Sequence, residues 1–182
     1  MSCVLNHPAP DVALIDLETG DAHSLLEICK RTKKPTVVLF YATWSKACEQ
    51  EVEHFEARSK DGHSKEANFV LVNLDQNVTK TFEFLDKVNP KTGKPRVCRD
   101  HRLEGFVPTV LHFGCNDVPE PYAVMRVPHK VMIDVDCVVR RNADDFHWDD
   151  IAGLLRHRSE VEALALENKM AILFPTPAKI VY

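Results

Sequence analysis

Two groups of residues in this chain have the types and spacing that chemistry requires. The first is Ser45-Lys46-Ala47-Cys48, a hydroxyl and a thiol about one helical turn apart. If a helix starts at Ser45, its N-terminal dipole favours a thiolate at Cys48, a nucleophile toward disulfides. The opposite reading rests on the same residues. Cys48, Val52 and Phe55 recur at i, i+4 and i+7, which places the thiol on an apolar stripe, and burial disfavours a thiolate. Ser45 has no comparable reactivity without a base, and its simplest role is as an N-cap whose hydroxyl accepts a backbone N–H. The second group is Cys98-x-x-His101 followed by His112-x-x-Cys115. These four side chains match the N/S ligand set of a tetrahedral structural zinc, a natural staple for a segment without its own core. The alternative is ordinary loop residues, since nine histidines make chance pairs easy. Apart from that zinc, no cofactor is expected. Asp75 closes a predicted strand at the sheet edge where α/β proteins place sites, or is a turn residue. Asp144, Asp145, Asp149 and Asp150 read as a solvated helix start.

These residues need elements to position them. Val12 to Leu17 predicts a short strand, and a helix from Ser24 stops at Pro35. Thr36–Tyr41 is a continuous β-branched and apolar run, the pattern of a strand covered on both faces. A helix from about Ser45 follows, then a second buried strand over Phe69–Asp75 and a helix from Val78 to Val88. Lys91–Pro95 reads as an exposed loop, and Pro108 demotes the strand-like run Phe106–Phe113 to an edge or irregular segment. Lys130–Val135, a turn at Asp136-Cys137, and Val138–Arg140 predict a hairpin. A C-terminal helix over roughly 146–167 restarts at a capping box, Ser159-Glu160-Val161-Glu162. An extended tail over 168–182 completes a single domain, 1–182, with its core over about 8–165.

Of the 182 residues, 45% are hydrophobic and 27% charged, as in soluble globular chains, and the net charge is −4. That balance argues against general affinity for nucleic acid or anionic membranes. No apolar run approaches the roughly 18–20 residues of a membrane span. The first residues lack a basic and then hydrophobic leader pattern. The expectation is therefore a cytoplasmic protein whose six cysteines are reduced.

Phe40-Tyr41-Ala42-Thr43-Trp44-Ser45-Lys46-Ala47-Cys48 resembles the F-x-A-x-W-C-x-x-C signature of the thioredoxin superfamily. The resemblance is to the larger redoxin branch that includes tryparedoxins, nucleoredoxins and TlpA-like reductases. Tyr122–Asp134 is similar to the same branch's Y-x-V-x-x-x-P-x-x-x-x-I-D segment, and the likeness spans about 8–160. It implies a thioredoxin-like three-layer α/β/α fold with a central mixed sheet, an irregular insertion around 90–120 and a C-terminal helix. It implies that Pro128 is cis beside the active site, in preference to the rival Pro108 in Val107-Pro108-Thr109. It also implies that Trp44 is exposed for partner docking with Val127 and Pro128; the alternative is a wedge between strand and helix. His129, next to Pro128, would then lie near Ser45 and Cys48 as a proton acceptor, or else be a surface histidine after a turn.

Two departures matter. Ser45 stands where the family's attacking cysteine stands, and Cys137 stands where the hairpin turn usually carries glycine, so that turn's backbone is expected to differ. Ser45-x-x-Cys48 also fits the T/S-x-x-C core of peroxiredoxins, although the proline four residues before it is Tyr41 here. The functional expectation is an atypical thiol–disulfide oxidoreductase with one active-site thiol, Cys48. The alternatives are a catalytically inactive binding module and, third, a peroxiredoxin-like thiol peroxidase. The partner in the first two would be a protein or a low-molecular-weight thiol or disulfide.

Overall fold

The computed structural model describes residues 4–61, 66–99 and 107–151, together with Leu164 and Glu167. The chain divides into two compact units, Met1–His147 and Trp148–Tyr182, and the architecture below is that of the first. In the second, helical residues are described at Asp150, Ile151, Leu164 and Glu167. The predicted restart at Ser159 and the tail 168–182 lie outside the described residues.

Among the described residues, seven strands and three α-helices build the first unit: β1 (Ala13–Asp16), β2 (Ala22–Ser24), α1 (Leu25–Thr32), β3 (Thr36–Tyr41), α2 (Lys46–Lys60), β4 (Asn68–Asn73), α3 (Val78–Asp86), β5 (Leu111–Gly114), β6 (His129–Ile133) and β7 (Val139–Asn142). They form one seven-stranded sheet in the order β2-β1-β5-β4-β3-β6-β7. β3, β4 and β5 run parallel, while β1 and β6 join them antiparallel. The sheet is therefore mixed, as the resemblance implies.

Strand parity sorts the side chains into two layers. Val38, Phe40, Val70, Val72, Val131 and Ile133 pack with Leu25, Ile28 and Cys29 of α1. The alternate residues face α2 and α3: Phe69 meets Phe55 edge-on at 5.4 Å and Tyr41 stacks on Phe84 at 5.7 Å. Both faces of β3 and β4 are covered, which is why their sequences are continuously apolar.

Three local outcomes differ from expectation. β5 is interior, between β1 and β4, rather than an edge; it begins three residues after Pro108, so the missing proline donor falls outside the ladder. β2, with too few residues for a periodic signal, pairs with β1 as a hairpin. Cys137 keeps the left-handed backbone, φ +62°, that a glycine would adopt freely. Its turn is held by the Asp134 carboxylate, which accepts from the Asp136 and Val138 amides at 2.9 and 3.0 Å and from Arg140 Nε at 2.7 Å.

Candidate functional site

The site forms at the carboxyl edge of β3 and β4. After Tyr41 the chain turns sharply, and the Ser45 amide donates to the Ala42 carbonyl at 3.3 Å. The Asp75 carboxylate fixes this turn from across the sheet edge. It accepts from the Thr43 amide at 3.1 and 3.2 Å and also from the Thr43 hydroxyl. Asp75 is held in turn by Asn73, fully buried, whose Oδ1 accepts from the Asp75 amide at 2.9 Å and lies 3.1 Å from the Thr81 hydroxyl of α3. Asp75 is thus a turn residue with a specific duty. Thr43, Asn73 and Thr81 complete the support; only Asp75's place at a strand end hinted at this in the sequence.

On that base, Ser45 occupies the N-cap position of α2, but its side chain makes no cap hydrogen bond. Instead the hydroxyl reaches the Val127 carbonyl at 3.5 Å. The Val127–Pro128 peptide is the only cis one among the described residues. Pro128, not Pro108, is therefore the cis-proline, and its loop lies against Ser45. Trp44 is 77% exposed, so it is not a wedge between strand and helix. Cys48 is 0% exposed and shares the inner face of α2 with Val52 and Phe55. Lys46 is exposed.

His129 does not join Ser45 and Cys48. It pairs directly with Phe40 and so projects to the α1 face, while the next residue, Lys130, reaches Glu51 of α2 at 2.7 Å. Its ring meets Phe40 edge-on at 6.0 Å and is 4% exposed. Asn142 donates Nδ2 to the Tyr122 carbonyl at 3.0 Å, which turns its Oδ1 toward His129 Nε2 at 2.7 Å. Nε2 therefore carries the proton. Burial holds this imidazole below the usual histidine range despite the Asn142 bond. It is a buried, neutral histidine, neither a surface group nor a base for Ser45.

Of the four zinc candidates, the three described ones are not brought together. His101 lies outside the described residues. His112 and Cys115 project to opposite faces of the sheet: His112 is paired with Leu71, whereas Cys115 joins the α1-side core. Cys98 is buried near α2, its amide donating to Glu56 at 3.3 Å. Among the described residues no three His, Cys, Asp or Glu side chains converge on a point. Period-two alternation separates ligands that counting residues had grouped.

All five described cysteines are free thiols. Burial pushes Cys29 up to about 11 and raises Cys115 and Cys137 above the ordinary thiol value.

The chain matches the model of the AhpC/TSA family over residues 5–142. It belongs to that family. No curated protein is significantly similar to this AhpC/TSA member. A candidate thiol-disulfide oxidoreductase from Bacteroides vulgatus is 25% identical, with a TM-score of 0.62 over 86% of this chain and 99% of the other. The thioredoxin domain of a thiol-disulfide oxidoreductase from the same organism is 17% identical, with a TM-score of 0.60 over 86% and 98%. A candidate thiol:disulfide interchange protein DsbE from Chlorobium tepidum is 23% identical, with a TM-score of 0.56 over 87% and 94%. The last two show the fold. This family member is a redoxin-branch, thiol-disulfide oxidoreductase-like protein of the thioredoxin superfamily. No helix among its described residues is long and apolar enough to cross a membrane.

Proposed function

We propose that this redoxin binds a protein or peptide partner on the surface formed by Trp44, Val127 and Pro128, and does not run dithiol exchange there. One observation carries the reading: the attacking position holds Ser45, while the remaining thiol of the motif, Cys48, is fully buried. Exchange needs an accessible thiolate to attack and a second thiol to resolve. A serine hydroxyl without a base supplies neither, and His129, the base that the resemblance implies there, faces the other side of the sheet. The parts that present a partner surface are retained: an exposed indole, the cis-proline loop and a turn braced by Asp75.

Reduction of insulin disulfides tests this directly, with dithiothreitol as terminal reductant. Wild type is expected to match the dithiothreitol background, and Ser45→Cys to exceed it, because the substitution returns an attacking thiol to an intact frame. Wild-type activity above background that Cys48→Ser abolishes would overturn the reading in favour of a single-thiol oxidoreductase.

The Ser45-x-x-Cys48 spacing within an AhpC/TSA chain favours a second reading, a thiol peroxidase. Complete burial of Cys48 opposes it, since peroxide must reach the sulfur. Dimedone labelling of the folded protein under hydrogen peroxide is expected to leave Cys48 unmodified, and labelling there would sink the binding-only reading.

A further inference from the structure

We propose that the end of α1, with the connection that follows it, docks an acidic segment of a partner protein, a run of Asp and Glu side chains. Lys30, Arg31, Lys33 and Lys34 put four cations into five consecutive positions of a chain whose net charge is −4. Lys30, Arg31 and Lys33 are exposed and Lys34 is half-buried.

The local structure explains only part of this. Lys30 and Arg31 belong to the last turn of α1, where a cation complements the helix dipole. Lys33 and Lys34 lie beyond the helix, where that benefit fades. Lys33 also holds the left-handed cap, φ +53°, with its amide on the Cys29 carbonyl at 3.1 Å. Glycine takes that backbone freely and lysine does not, so a charge stands where the backbone favours another residue. Among the described residues no carboxylate forms an ion pair with any of the four, not even Glu27, one turn before Lys30 and Arg31. Like charges this close repel one another, and a row of carboxylates from a partner replaces that repulsion with attraction.

The fold gives the patch a face of its own. Thr32, which ends α1, accepts from Asn68 Nδ2 at 2.7 Å, so the four cations sit where β3 and β4 begin. The Trp44 surface lies at the opposite, carboxyl edge of the same parallel strands, and the two surfaces share no residue. The cations that α2 brings toward the strand starts are already answered: Arg58 by Asp61 at 4.0 Å and Lys60 by Glu56 at 2.8 Å.

Other polyanions fit less well. No aromatic side chain between Leu25 and Pro35 offers a base something to stack on. No large apolar side chain is exposed there to enter a bilayer. A duplex asks for a broad basic face, which a chain of net charge −4 does not offer.

The test is fluorescence anisotropy of a fluorescein-labelled octaglutamate peptide titrated with the full chain at low salt. We expect saturable binding that weakens as salt is added, and no binding of the matching octaglutamine peptide. Replacing the four cations together (Lys30→Gln, Arg31→Gln, Lys33→Gln, Lys34→Gln) is expected to weaken binding by about tenfold or more, the combined loss of several exposed ion pairs. If that variant does not fold, Lys33→Gln with Lys34→Gln decides, with an expected loss of about threefold. The control for net charge is Lys80→Gln, Lys87→Gln, Lys91→Gln and Lys94→Gln together, expected to weaken binding by no more than about twofold because screening separates those groups from the patch. Four results would each overturn the proposal: no saturable binding of octaglutamate, binding unchanged in the α1 variants, an equal loss in the control, or tighter binding of a short single-stranded DNA or of phosphatidylserine vesicles through the same four residues.

Discussion

At its first turn α2 meets a supporting frame and no attacking thiol; two turns on, the same helix buries the Glu56 carboxylate, one oxygen of which has no hydrogen-bond partner among the described residues. Around Ser45, the Asp75 and Asn73 network and the cis-proline loop are all present. Around Glu56, one carboxylate oxygen is matched and the other is not. The contrast teaches that position and reactivity are separable. A frame can stand without a nucleophile, and buried polar atoms go unmatched in both regions, Asn73 Nδ2 in one and Glu56 Oε2 in the other.

The comparison can be broken or sharpened by experiment. The largest stability effect should come from Phe55→Ala, which removes a fully buried ring that anchors α2 on Phe69 between the two regions. A loss of about 3–5 kcal/mol is expected in urea unfolding. Asp75→Ala should cost about 1–3 kcal/mol, since it leaves the Thr43 amide without its acceptor. In the Ser45→Cys background it should also lower insulin reduction.

The pH dependence follows from His129 and His112, both held below the usual histidine value chiefly by burial. The unfolded chain then takes up their protons first. Stability is fully present above about pH 6.5 and is lost as pH falls toward the lower folded values, by at most about 1.4 kcal/mol per pH unit for each residue. Unfolding midpoints at successive pH values measure this slope, and His129→Gln should flatten it. Because His129 faces α1, the same substitution should leave the alkylation rate of Cys48 unchanged. The smallest effect belongs to Trp44→Ala, expected to alter stability by no more than about 0.5 kcal/mol because the indole is mostly in solvent.

Much of the frame was legible in the sequence. The unbroken apolar runs of β3 and β4 and the stripe Cys48–Val52–Phe55 reappear, because each is a local pattern with a direct structural counterpart; the cis bond at Pro128 is what the family resemblance implies. What could not be read depended on parity and on neighbours distant in sequence. The resemblance implies that His129, next to Pro128, lies beside the motif, but starting β6 at that residue sends its ring to the opposite face. Cys115 and His112 were parted by the same alternation. Ser45 was assigned a cap role from its position; the nearby Val127 carbonyl, eighty-two residues on, took its hydroxyl instead. β5 has only four residues, and its interior place comes from partners on either side rather than from its own composition.

The pairing of β1 has a consequence for how the chain is made. Residues 13–16 are synthesised almost a hundred residues before β5, at 111–114, to which they bind. The segment just before them waits longer still: the Asn6 amide seeks the Val139 carbonyl, and the Ala9 amide seeks that of Cys137. Pairings this distant in sequence are slow to close. Until then β1 has only β2 beside it, its other edge stays open and its apolar residues uncovered, and this stretch is where a chaperone would have most to shield.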